Sequence, residues 1–188
     1  ALMGVRQAWS AKVGELLFPL DVNVTGNNIA VASSDGAIAV IDARTGGDVW
    51  RANVGGPIAA GVGSDGKFVA VVTRANELVG RELWRQKLGA QGFTAPLVAG
   101  ARMFVLSADR VVTAFDAQTG RKLWNQARPG DPLVLRQAGV ILAVGDTLVV
   151  GLSGRLVGMN PHNGSVRWEA PVAVSRGTNE VERLVDLV

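Results

Sequence analysis

Five tryptophans punctuate the chain, at positions 9, 50, 84, 124 and 168, with spacings of 41, 34, 40 and 44 residues. A period near 40, with several short apolar stretches in each interval, marks a repeat protein whose unit is a small sheet. The unit is clearest at Val111–Trp124, VVTAFDAQTGRKLW. Val111–Phe115 reads as a strand, Asp116-Ala117-Gln118-Thr119-Gly120 as a tight turn, and Lys122–Trp124 as the start of the next strand. Asp116 opens the turn because its carboxylate can accept N–H groups from the residues just ahead, and Gly120 closes it where the backbone needs positive φ. Asp42 and Gly46 repeat these roles in Ile41–Trp50, and an altered copy occupies Met159–Trp168. Partial copies end at Trp84 and Trp9.

Further strands fill the intervals. In the third repeat they are Ala95–Val98 and Met103–Ser107; in the first, Ile29–Ala32 and Ala37–Ile41 around a Ser34-Asp35-Gly36 turn; in the fourth, Thr147–Leu152 and Arg155–Met159 around Ser153-Gly154. The strands are nearly continuous apolar runs, as in sheets covered on both faces. The expected fold is all-β, a β-propeller with four-stranded blades. Its whole repeats would be 10–50, 51–84, 85–124 and 125–168, with a partial blade at each end. One tryptophan per repeat would fill the wedge between blades and place its N–H on a backbone carbonyl. Such an arc is expected to leave two unpaired sheet edges. The Gly61-Val62-Gly63 run reads as turns, since no helix follows it.

Two repeats depart from the pattern. The second is short by six or seven residues, because Val79 passes straight to Gly80 where the third repeat finishes a strand and makes its Asp turn. Residues are therefore expected to be missing between Val79 and Gly80. The fourth is long by about four, just after Trp124, in Asn125–Gln137 (NQARPGDPLVLRQ). The segment after Trp168 carries a polar insertion, Ser175–Glu182. In a propeller these segments join the outer strand of one blade to the inner strand of the next, so they emerge on one face as neighbours. Two elaborated loops side by side make a candidate binding surface.

Catalytic chemistry is poorly supplied. There is no cysteine, so thiol nucleophiles, disulfides and Cys-based zinc sites are excluded. The single histidine, His162, sits in a turn, and Asp42 and Asp116 read as turn caps. No Ser–His–Asp set, phosphate loop or metal cluster can be assembled, so no catalytic residue and no metal ligand is assigned. A net charge of +3 from scattered residues gives no basic patch, and nucleic acid is not an expected partner. No apolar run reaches membrane-spanning length. Ala1 falls in mid-pattern, so the N-terminus reads as mature or truncated, and targeting cannot be read from it.

In Asp131-Pro132-Leu133-Val134-Leu135-Arg136, strand alternation puts Leu133 and Leu135 on one face. Facing outward beside Arg136, they would anchor a protein partner; facing inward, they would belong to an ordinary inner strand. Glu180, Glu182, Arg183, Leu184 and Asp186 in the later loop are either partner-facing or simply solvated.

The D-A-x-T-G-x-x-x-W repeats resemble those of propellers related to pyrroloquinoline quinone (PQQ) dehydrogenases. Pro132–Arg136, followed downstream by Gly177–Asp186 (GTNEVERLVD), resembles the BamB family of the outer-membrane β-barrel assembly (BAM) machinery. That resemblance implies an eight-bladed ring, of which this chain is about half, with no catalytic activity and no cofactor. It implies a lipoprotein on the periplasmic face of the outer membrane, anchored by an N-terminal lipid not present in this chain. The implied partners are the POTRA domains of BamA and other BAM subunits, and the implied role is aiding β-barrel folding and insertion. The family pattern assigns partner binding to Leu133, Leu135 and Arg136, and in the neighbouring loop to Arg183, Leu184 and Asp186. Its second loop aspartate falls at Val188 here, a departure from the pattern. Exposed blade margins would also hold unfolded outer-membrane proteins by β-augmentation. The alternatives are a PQQ-dependent dehydrogenase, needing calcium on carboxylates and a catalytic Asp, and a generic propeller adaptor.

Overall fold

Among the described residues strand pairing is entirely local: each strand bonds only to its neighbours in sequence, and sheets form one after another. The computed structural model describes residues 6–17, 21–80, 84–92, 94–130, 139–152 and 154–172. The first sheet holds β1 (Asn23–Thr25), β2 (Asn28–Ala32), β3 (Ala37–Asp42) and β4 (Asp48–Asn53). The second holds β5 (Ile58–Ser64), β6 (Val69–Thr73), β7 (Glu77–Gly80) and β8 (Arg85–Lys87). The third holds β9 (Leu97–Ala99), β10 (Arg102–Leu106), β11 (Val111–Asp116) and β12 (Lys122–Ala127). The fourth holds β13 (Val140–Val144), β14 (Thr147–Leu152), β15 (Arg155–Met159) and β16 (Val166–Pro171). All pairings are antiparallel. The first strands of successive sheets, β1, β5, β9 and β13, lie next to one another in series. The molecule is an all-β arc of a propeller, built from four-stranded blades.

The core lies between the blades. On β6, Val69 and Val71 pack with Ala30, Ile38 and Val40 of the first sheet, while Ala70 and Val72 pack with Met103 and Val105 of the third. On β10, Met103 and Val105 face back, and Phe104 and Leu106 face forward onto Leu148 and Val150. Successive side chains of a strand point to opposite faces. A strand covered on both sides must therefore be apolar on both, as β6 and most of β10 are, whereas the outer strands β4, β8, β12 and β16 are largely exposed and carry polar residues.

The Asp–Gly turns form as the repeat pattern implies. Asp116 Oδ1 accepts the N–H groups of Gln118 (3.0 Å) and Thr119 (2.8 Å), and Asp42 Oδ1 those of Arg44 (2.8 Å) and Thr45 (3.2 Å). Gly46 and Gly120 have φ of 72° and 74°. These glycines have a second reason to lack a side chain, since a Cβ would meet the indole of the preceding repeat. It would lie 2.7 Å from Trp9 Cδ2 at Gly46, and 2.5 Å from Trp84 Cδ2 at Gly120. Each indole also donates Nε1–H into the same turn. Trp9 bonds to Ala43 O (2.8 Å), Trp84 to Ala117 O (3.1 Å) and Trp124 to Pro161 O (3.0 Å). The tryptophan that ends one unit is thus latched into the turn of the next.

Hydrogen bonds hold the Asp116 carboxyl below the ordinary carboxylate range, first that of the Thr119 N–H. A carboxyl depressed in the folded state stabilises it above the unfolded pKa, and that contribution is lost as pH falls through the folded value. Asp116→Asn keeps the acceptor oxygen, as Asn160 does toward the His162 N–H, but does not titrate. Near pH 7 its Tm should lie below wild type, and the gap should close as pH falls below about 4, a difference readable from melting curves across pH. Identical acid limbs would show that the turn carboxylate carries none of the pH dependence.

Three expectations need correction. Strand β7 runs unbroken through Val79 and Gly80: Val79 pairs with Arg85, and the Gly80 N–H reaches Trp84 O (3.3 Å). Gly80 thus takes the place of Gly158, which is opposite Trp168 in the fourth sheet. The residues that follow, 81–83, lie outside the described residues. Gly61 and Gly63 are not turn residues but sit in β5, where the pairing with β6 is bulged. There a Cβ on Gly63 would fall inside the Pro96 carbonyl of the third sheet. Finally, an open arc exposes sheet faces rather than strand edges, because blades stack face to face. On the fourth sheet Val140, Leu142, Val144 and Trp168 remain exposed, Leu142 at 51% and Trp168 at 42%. On the first sheet, Trp9, Ala11 and Val13 cover Val31, Ala39 and Ile41.

Candidate functional site

The segments that follow the outer strands begin from a common anchor. Four residues after Trp50, Trp84, Trp124 and Trp168, the backbone N–H bonds to a carbonyl at the middle hairpin of its own sheet. These bonds are Val54 to Gly36 (2.9 Å), Leu88 to Asn76 (3.0 Å), Arg128 to Arg110 (2.9 Å) and Val172 to Gly154 (3.0 Å). The segments then bridge to the next sheet's middle hairpin. Glu15 O accepts from Ser34 N (2.8 Å), Pro57 O from Arg74 N (2.8 Å) and Gln91 O from Ala108 N (2.7 Å). All of this occurs at the end of the sheets opposite the Asp–Gly turns. The segments after Trp124 and Trp168 therefore set out from the same end of two consecutive sheets.

Leu133, Leu135 and Arg136 lie outside the described residues, as do Arg183, Leu184, Asp186 and the Ser175–Glu182 insertion. The inner-strand position of the fourth sheet is filled by β13, Val140–Val144, paired along its length with β14.

Around the departure point the described rim is cationic. Arg128 forms an ion pair with Glu169 on β16, and Arg155 Nη1 approaches the same carboxylate at 3.9 Å. This joins the third and fourth sheets just before Asp131. Beneath it lies Arg110, only 6% exposed. Arg110 was not singled out from sequence, although aligning the middle hairpins would have found it. The residue at its position is Gly36 in the first sheet, Asn76 in the second and Gly154 in the fourth, with φ of 102°, 59° and 73°. Arg110 adopts φ of 63° there, a conformation that costs a non-glycine residue on the order of 1 kcal/mol or more.

The groups that sequence considered for chemistry have structural occupations. Asp42 and Asp116 cap their turns. His162 is exposed, with Arg102 Nη2 at 2.9 Å from its Nδ1. Among the described residues no three His, Asp or Glu side chains converge as a metal site.

Comparison with known proteins is consistent across sequence and structure. The family described as "Outer membrane protein assembly factor BamB" matches residues 34–188. A curated protein of that name from Bordetella pertussis is 34% identical over 195 residues, covering 99% of this chain and 50% of its own length. The crystal structure of BamB from Moraxella catarrhalis superposes with a TM-score of 0.68 at 20% identity, over 90% of this chain and 54% of that one. A quinohemoprotein alcohol dehydrogenase, ADHIIG from Pseudomonas putida HK5, superposes with a TM-score of 0.57 at 16% identity, over 84% of this chain and 34% of that one. At these identities the two structural matches report shared architecture. The chain spans about half the length of the curated relatives it matches.

Proposed function

The chain belongs to the outer membrane protein assembly factor BamB family, and from that premise we propose that it is a non-enzymatic scaffold of the BAM complex that docks the POTRA domains of BamA. It would act on the periplasmic face of the outer membrane, lipid-anchored as part of a longer protein, and promote β-barrel folding and insertion. The repeats 10–50, 51–84, 85–124 and 125–168 would form about half of an eight-bladed ring. Leu133 and Leu135 would be the apolar anchors, and Arg136 would bond a carboxylate or carbonyl of the partner. Arg183, Leu184 and Asp186 would supply the adjoining part of the surface.

The observation that carries this reading is the common origin of the two loops. Both leave from the same end of adjacent sheets, through Arg128 N–H to Arg110 O and Val172 N–H to Gly154 O. An apolar pair flanked by charge on a rigid scaffold is the composition expected of an interface centre. The double variant Leu135→Glu and Arg136→Glu should weaken binding to purified BamA POTRA domains about 100-fold, the equivalent of roughly 2.7 kcal/mol. Its melting temperature should be unchanged, because the fourth sheet is complete without these residues. Wild-type affinity in that variant would remove the assignment.

A further inference from the structure

We propose that the cleft between the third and fourth sheets, at the end that carries the Asp–Gly turns, binds a small carboxylate with an apolar body, held by the Arg102 guanidinium. The site stands apart from the segments proposed to dock BamA, which set out from the opposite end of the sheets.

The cleft has a volume of about 250 Å³. Pockets for drug-sized ligands run to roughly 300–1,000 Å³, so this one suits a body the size of a single aromatic ring. Phe104, Ala143 and Leu148 supply apolar walls, and Arg102 and His162 a polar edge. Arg102 opens β10 just after the turn from β9, paired with Ala99 on one side and Asp116 on the other. Its Nη1–H donates to Gly100 O (3.1 Å) and its Nη2–H to His162 Nδ1 (2.9 Å). Nε is buried and has no acceptor.

That pattern is half of a carboxylate site. Nε and Nη2 form one edge of the guanidinium, two parallel N–H groups spaced for the two oxygens of a carboxylate. A histidine nitrogen is a single acceptor, so it satisfies Nη2 and leaves Nε unmatched, which is costly for a buried donor. His162 is exposed on its turn, where the ring can turn aside. A carboxylate in its place would satisfy both donors. Neighbouring acids do not fill the role. Asp146 at the rim is engaged by Arg167 Nη1 at 3.0 Å. Arg51, Arg85 and Arg128 each meet a carboxylate as well, whereas Arg102 meets none among the described residues.

The fold does not ask for a cation at this position. The first and second sheets enclose the equivalent cleft, about 220 Å³, and Asn28 stands there where Arg102 stands in the third sheet. Asn28 pairs with Asp42 as Arg102 pairs with Asp116. The lining of that cleft carries no charged side chain.

The test is a titration of the intact protein with phenylacetate, its neutral isostere phenylacetamide and inorganic phosphate, followed by NMR at the Arg102 Nε–H resonance. Phenylacetate should shift that resonance and bind with a Kd on the order of 1 mM. Phenylacetamide and phosphate should bind about tenfold more weakly or worse. Arg102→Gln should weaken phenylacetate binding by about tenfold or more, with Tm within about 2 °C of wild type. His162→Ala should tighten it about threefold, because the ring no longer competes for Nη2. Equal binding of phenylacetate and phenylacetamide would overturn the carboxylate, and phosphate binding as tightly as phenylacetate would overturn the apolar body. Wild-type affinity in either variant would overturn the site. Should Arg102→Gln fail to fold, the His162→Ala arm still decides, since only a ligand competing with that ring gains from its removal.

Discussion

Trp84→Ala is expected to lower the free energy of unfolding by about 3–5 kcal/mol, the range for truncating a well-packed tryptophan. The reason is that both walls of the site are glycine. The indole lies between Gly80 of its own sheet and Gly120 of the next, and packs on the cluster between the second and third sheets. Once it is removed, neither wall has a side chain that can swing into the space, so the cavity persists. The loss also strips the buried Ala117 carbonyl of its donor, which adds about 1 kcal/mol. Trp84→Phe would refill part of the volume without the N–H and should recover about half of the deficit. Trp168 provides an internal control, because it is 42% exposed. In the 188-residue chain Trp168→Ala should cost less than about 1.5 kcal/mol. Urea titrations of the three variants decide the matter. Equal costs at positions 84 and 168 would mean that the indole serves its own sheet alone and does not latch consecutive blades.

The elements most legible in the sequence are those in which one residue's chemistry suffices. The Asp at the head of the turn and the Gly at its foot are local requirements, and Asp42, Gly46, Asp116 and Gly120 all do what their residue types imply. Strands β14 and β15 have the bounds read from sequence because Ser153-Gly154 separates two apolar runs. Less legible were features that depend on a second segment. Gly63 looks like any turn glycine until β9 is packed against it. The place of Val140–Val144 as the inner strand of the fourth sheet emerges only from its pairing with β14. Arg110 gave no signal of its own, since nothing in an isolated arginine announces positive φ or a glycine resting on its guanidinium. The position became visible only when four copies of the hairpin could be laid over one another in space.

Gly63→Ala should be the most damaging single methyl in the second sheet, at about 2–3 kcal/mol. The added Cβ would fall inside the Pro96 carbonyl group, with Val98 Cγ2 3.4 Å away. These are backbone and near-backbone atoms of the neighbouring inner strand, so no rotamer change can relieve the overlap. The strands β5 and β9 must separate, and because they stand at the inner margin of the arc, separation there changes the angle between the second and third blades. Its effect would pass along the bridges that tie one blade's loop to the next blade's hairpin, Gln91 O to Ala108 N among them. Stability and binding should therefore fall together in this variant. Gly89→Ala is the matched control, since nothing lies within 4 Å of a Cβ there; it should be neutral or stabilising by up to about 1 kcal/mol. Denaturant midpoints for the two alanine variants separate the cases. A Gly63→Ala protein as stable as Gly89→Ala would show that the inner strands have slack, and that the spacing of the blades is set at the tryptophans instead.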